Sequence, residues 1–430
     1  MNNRSLLVFR VLFGVFMASV LLLVALILAP DEEPSELSSS LKAQGLSAVD
    51  TYAEGFIYQM GLGAPLGTDP SRFGAARITA YQDALAGSDA SSFGYEEKLP
   101  ANALALMNPE EWGNCPLDTA TCIQALLKDQ PKLNRLISQS AEIFKRYQRN
   151  LSLQHHHNTL INRYDAPSPP MQYVTQGNLA LRFRALALAN AGDAVGTTNM
   201  LLADIARQRE LLADANTIID KVIFSNIVTN DITTLNTLQA LGLAAPSSEL
   251  PALTRLELSF AGPLAWEFAM NALLFEQLSE NRNAFSYDFE VPEWVVHAAL
   301  KKNMFLNQLA VRMSQFTENS EQSLETFSAE QEPSEISWFG IVLNPLGSVF
   351  TTMIDETNYN HYSARTQDLG KQILLFNHLA HGSVKSTQLE SSPLGFHRVG
   401  ESQVCFDRAY RSDKQSKAIC LLTSHEVTSP

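Results

Sequence analysis

Charge, cysteine and catalytic signatures are all scarce in this chain, and each scarcity excludes something. Lys and Arg number 31 against 45 Asp and Glu, a formal net charge of −14. A surface this acidic repels phosphate backbones and anionic head groups within a Debye length, so nucleic acid is not an expected partner. Only 18 % of residues are charged while Phe and Tyr are frequent, which argues against wholesale disorder. There is no Gly-x-Ser-x-Gly nucleophile elbow. Gly370-Lys371 could end a phosphate loop, but Arg365 stands where the partner Gly is required. Acidic pairs occur at Glu96-Glu97, Glu110-Glu111 and Asp355-Glu356, with Glu290 and Glu293 spaced nearby. Carboxylates are too common for such pairs to mark a glycosidase acid and base. No cofactor is expected.

The longest absence is of charge between Val11 and Ala29. At about 1.5 Å of helix rise per residue, this run crosses a hydrocarbon core of roughly 30 Å. Val11, Leu12, Phe13, Val20, Leu21, Leu22, Leu23, Ile27 and Ala29 are the residues expected to face lipid, making the bilayer itself a partner. Arg4 and Arg10 precede the run and Asp31, Glu32 and Glu33 follow it, so the N-terminus is expected in the cytoplasm and the body outside. A cleaved secretory signal is the rival reading. Its apolar core is normally about 7–15 residues long and ends at a small-x-small site. Here the best candidate, Ile27-Leu28-Ala29, has Ile at the first small position and Pro30 after the cut. No Cys follows the run, which excludes a bacterial lipoprotein anchor.

The expected organisation is a cytoplasmic stub (1–10), a transmembrane anchor (11–29) and a tether rich in Pro, Ser and acid (30–45). A helical domain (46–165), a helical-hairpin domain (166–317), an acidic linker (318–335) and a C-terminal segment (336–430) follow. The fold class is mainly α: a single transmembrane helix, a helical-hairpin or solenoid-like body, and a small C-terminal β-hairpin. Asp69-Pro70 starts a helix that runs to Ala86. One helix is expected from Lys132 to Leu153 and another from Leu253 to Leu278. The stretch Ala185–Asp193 resembles the small-residue helix and turn of tetratricopeptide-like hairpins, but only once. Ile336 to Ile354 is a second uncharged stretch. Asn344-Pro345, Gly347, Ser348 and two Thr make it a buried core segment broken at Asn344-Pro345, in preference to a second pass.

Four cysteines fall in two pairs, Cys115 with Cys122 and Cys405 with Cys420. In a body placed outside the membrane they are expected as disulfides, with free buried thiols and a metal site as the alternatives. If Gln403–Phe406 and Lys417–Leu422 pair as a hairpin, Cys405 and Cys420 lie opposite each other.

Candidate chemistry beyond this is thin. Gly61–Gly67 looks like a phosphate loop, but Gly67 is one place late and Pro65 removes a donor, so a turn is expected. His155, His156 and His157 point in different directions on regular structure and read as a polar helix end. His378 and His381 share a helix face with His361 upstream, a possible N/O metal set. A zinc-protease helix would need a Glu beside the first His and a second His at four, and has neither.

Tyr58, Gly61, Leu62, Ala64 and Pro65 with Asp69-Pro70, and later Asn344-Pro345-Leu346-Gly347 with Tyr362, Arg365 and Asp368-Leu369, carry a resemblance. Together they resemble motifs of an uncharacterised family of proteobacterial envelope proteins. The resemblance implies a Gram-negative inner-membrane placement with a periplasmic body, and assigns no catalytic residue. The leading expectation is a non-enzymatic, single-pass envelope protein that binds or scaffolds other envelope proteins. A cell-envelope hydrolase, metal-dependent through His361, His378 and His381, is the alternative.

Overall fold

Helix ends in this chain are set by side chains that satisfy orphan backbone amides. Ser35 caps α1 (Glu36–Leu46), Thr119 caps α4 (Ala120–Lys128), and Asp129 caps α5 (Gln130–Gln139). Asp193 and Thr217 do the same for α8 (Ala194–Asp214) and α9 (Ile218–Ala240). The remaining helices are α2 (Glu54–Met60), α3 (Pro70–Gly87), α6 (Ala141–Leu151), α7 (Gln172–Asn190), α10 (Arg255–Leu258), α11 (Ala261–Glu280), α12 (Lys302–Ser320), α13 (Pro345–Met353) and α14 (Glu356–Ala380). A three-stranded antiparallel sheet, β1 (His397–Val399), β2 (Gln403–Asp407) and β3 (Ala418–Leu422), follows in the order β1-β2-β3.

The structure is a computed structural model. It describes residues 29–49, 51–87, 100–108, 119–160, 163–280, 300–329, 343–353, 356–380, 394–400, 402–409 and 418–423. Phe13, Gly14, Phe16, Met17, Val20, Val24, Tyr95, Glu110 and Leu117 are described singly.

α9 is the axis of the body. Its buried residues run right round the helix, from Ile218 to Leu238, because α8, α7, α14, α4 and β3 all pack against it. A helix apolar on one stripe only could not accept neighbours on every side. One continuous hydrophobic core extends from Tyr58 to Leu421 and crosses the domain boundaries expected near 165 and 317. A second core joins α11 and α12 to α1, α13 and α14.

Several expectations are corrected. Residues 36–46 of the expected tether form α1, packed between α11 and α12. Gly45 lies so close to α11 that a Cβ there would meet the Ala265 carbonyl oxygen at 2.1 Å. Polar Ser and Glu read as tether, yet small residues are what a close helix crossing requires. The expected helix from Lys132 to Leu153 breaks at Ser140, which is buried, ends α5 and begins α6. The expected helix from Leu253 to Leu278 breaks at Ser259, between α10 and α11. The acidic linker is packed in its described part. Glu321 binds Arg255 and Ser259, and Asn319 donates to Ser328 and Asn360.

The C-terminal expectation holds in outline. β2 and β3 pair antiparallel with Cys405 opposite Cys420, and β1 adds a third strand. Asn344 is buried and opens α13: its carbonyl accepts from Ser348 N at 2.8 Å and its side chain from Gly347 N at 3.1 Å.

Candidate functional site

The chain leaves the apolar run and is fastened to the body at once. Phe13, Phe16, Met17, Val20 and Val24 are helical, and all but Val20 are exposed; Ala29 lies in a bend. Val11, Leu12, Leu21, Leu22, Leu23 and Ile27 lie outside the described residues. Asp31 then accepts hydrogen bonds from the backbone of Asn303 (2.8 Å) and Met304 (3.1 Å), in the first turn of α12. A carboxylate at a helix N-terminus satisfies orphan amides and opposes the positive end of the helix dipole. Asn307 donates to the Glu32 carboxylate and the Glu33 carbonyl, and accepts from Ser35 N. Lys42 pairs with Glu276 on α11 at 2.6 Å. Among the described residues, one stretch is long and apolar enough to cross a membrane, Arg255–Leu278; it is more than half buried and belongs to the second core.

At the other end of the chain the sheet rests on α9. A disulfide joins Cys405 to Cys420, whose Cα atoms are 4.0 Å apart. Cys122 is disulfide-bonded too; its expected partner, Cys115, lies outside the described residues. Val404, Phe406, Ile419 and Leu421 face the core, and Asn236 of α9 exchanges two hydrogen bonds with the backbone of Leu422, at 2.7 and 3.1 Å. Between β3, α9 and the start of α4 lies a cleft of about 310 Å³. Thr229, Thr233 and Thr237 line it at helical spacing, with Thr119 and Thr121 from α4 and Arg408 from the end of β2. Beside it the Asp368 carboxyl accepts from Ala409 N at 2.8 Å, and burial raises its pKa to about 6.

The most concentrated buried chemistry lies between α6, α7, α8 and α9. Asn178 donates to Asp204 at 2.8 Å and to Asp231 at 2.9 Å. Tyr147 donates its hydroxyl to Asp204, 2.9 Å away, and accepts from Gln208. Arg182 stands 3.8 Å from Asp231. Burial raises both carboxyls, and the neighbouring Asp204 charge raises Asp231 further, well above the ordinary carboxylate range. Both side chains are buried, and Tyr147, Asn178, Arg182 and Gln208 are buried with them. This is a network that orders four helices. Sequence reasoning missed it, and the signal was an Asp inside each of two apolar helical runs.

Among the described residues the histidines do not assemble a metal set. His361 and His378 sit seventeen residues apart on the continuous helix α14, about 25 Å at 1.5 Å per residue, so no ion reaches both. His381 lies outside the described residues. No group of three or more His, Cys, Asp or Glu among the described residues could hold a metal ion. His155–His157 form an irregular segment after α6. His156 is buried with Nε2 3.0 Å from the Asn150 carbonyl, and burial lowers its pKa to about 4. Its ring packs on Gly55, where a Cβ would lie 2.6 Å from it. In the Gly61–Gly67 turn, Arg146 binds the carbonyls of Leu62, Ala64 and Pro65, so carbonyl oxygens face a guanidinium where a phosphate loop would offer amides.

No protein-family model, curated protein or solved structure matches this chain.

Proposed function

We propose that this chain is a single-pass protein of the bacterial inner membrane whose body lies on the periplasmic side and binds other envelope proteins without catalysing a reaction. The observation that carries the reading is the junction at residues 13–35. Exposed apolar residues on a helix are followed, within a few positions, by a carboxylate fixed to the first turn of α12. Isolated apolar exposure is ordinary, but Phe13, Phe16, Met17 and Val24 all lie exposed within one short helical stretch. A bilayer is the solvent such a run fits. The Cys405–Cys420 disulfide favours an oxidising compartment, in keeping with the positive flank at Arg4 and Arg10. The motif resemblance to proteobacterial envelope proteins points the same way. Stacked helix pairs such as α7–α8 and α8–α9, with a solenoid-like texture, supply broad surfaces suited to protein contacts.

Two measurements test this. Alkylation under denaturing, non-reducing conditions is expected to label no cysteine; four free thiols would overturn the periplasmic placement. Crosslinking the protein in its own membranes is expected to capture a specific partner. A body that captures none, in an assay that recovers known complexes, sinks the binding role.

A further inference from the structure

We propose that the cleft between β3 and α9 receives the extended C-terminal segment of a partner protein, which pairs with β3 at Cys420 and presents its carboxylate to Arg408. The inference rests on the reading of the body as a protein-binding module and names the place and chemistry of binding.

The register fixes which way the β3 backbone points. Thr423 N donates to Ser402 O, so Thr423 turns its peptide group toward β2. Directions alternate along an antiparallel strand, so Leu421 and Ile419 also face β2 while Leu422 and Cys420 turn theirs outward. At Leu422 the Asn236 amide takes that outward rung, donating to the carbonyl and accepting from the amide as a neighbouring strand would. At Cys420, the next outward rung, no side chain among the described residues does this, and the residue lines the cleft. An edge with one rung filled and the next facing a cavity is a template for strand addition.

Charge selects what the strand carries. The chain is strongly acidic overall, yet among the described residues no Asp or Glu lines this cleft and Arg408 does; the carboxyl nearby, Asp368, sits beside the cleft and feels the Arg408 charge. Its Nε is buried without a hydrogen-bond partner. A buried guanidinium nitrogen left unmatched is an anion-binding group in waiting. Threonine hydroxyls and the first-turn amides of α4 supply further polar contacts on the facing wall. A terminal carboxylate on an extended backbone satisfies both the open rung and the cation.

The test pans random hexapeptides with free C-termini, and the same peptides amidated, against the full-length protein in detergent micelles. Selected peptides are expected to weaken at least tenfold on amidation and at least tenfold in Arg408→Gln. They are expected to slow amide hydrogen exchange at Cys420 while leaving the already bonded Leu422 unchanged. Ala120→Pro, which keeps the start of α4 but deletes one amide, is expected to weaken them less. Selecting no peptide, equal binding of the amidated set, or unchanged exchange at Cys420 overturns the proposal; none of these arms depends on a variant folding. Acetate protecting Cys420 as well as the peptides do would assign the cleft to small carboxylic acids, which also overturns it. Binding seen only after removal of residues 424–430 would assign the cleft to the chain's own tail, with the same result. If Arg408→Gln still crosslinks the wild-type partners, this site falls and the binding role stands; if the wild type crosslinks none, the role itself falls.

Discussion

The two larger cores of this body are both hydrophobic but differ at their centres. Between α6, α7, α8 and α9 the centre is polar: Tyr147, Asn178, Asp204, Gln208 and Asp231 form one connected, buried hydrogen-bond network. Between α11, α12 and α13 the centre is aromatic, with the Phe275 ring 4.3 Å from Phe305 and 4.9 Å from Phe350. Hydrogen bonds are directional and costly to leave unmade, so the first core has one acceptable arrangement. Dispersion and area burial are tolerant of small shifts, so the second is stable without being so exacting. The difference teaches where each part of the body gets its stability. The polar network fixes helix register; the aromatic centre supplies cohesion around α1.

Four changes would break or sharpen that contrast. Phe305→Ala opens a cavity in the aromatic core and is expected to cost about 3–5 kcal/mol in denaturant unfolding. Asn178→Leu removes the amide that bridges both carboxyls and is expected to cost on the order of 3 kcal/mol, despite similar volume. A loss under about 1 kcal/mol would mean that the network is dispensable. Asp231→Asn acts through pH. Because the carboxyl pair has raised proton affinity in the native state, the folded protein binds more protons than the unfolded chain between the ordinary carboxylate range and the raised value. Stability therefore falls as pH rises through that window, by up to about 1.4 kcal/mol per pH unit per proton. The Asn variant is expected to flatten that fall, measured as unfolding midpoints from pH 4 to 8. Met313→Leu, a volume-conserving swap in the aromatic core, is expected to cost less than about 1.5 kcal/mol. A larger loss would show that this core is as exacting as the polar one.

What could be read from the sequence was what local chemistry determines. Asp69-Pro70 starts α3, the Ala191-Gly192-Asp193 turn separates α7 from α8 with Gly192 at φ +81°, and Cys405 faces Cys420 across the strand pair. Each depends on neighbours a few residues away or on a simple register count. Features set by distant partners stayed hidden. α1 reads as a tether because its helix is stabilised by α11 and α12, more than two hundred residues later. Ser140 breaks a long amphipathic pattern only because it is buried between helices. His361 and His378 share a helix and look like partners until its length is counted. Arg408 carried no signal at all, since its meaning depends on a cleft formed by α4, α9 and β3 together.

Asp31 has a mechanical consequence. A flexible leash would let the body swing through a wide arc and meet partners at any height. Here Asp31 is locked to α12, and α1 is wedged against α11 at Gly45. A force applied at Asp31 is handed to α12 and α11 as torque, with little slack to absorb it. The body's outlook is set by how the chain enters at Asp31, and a few Gly-Ser residues inserted after Pro30 would uncouple the two.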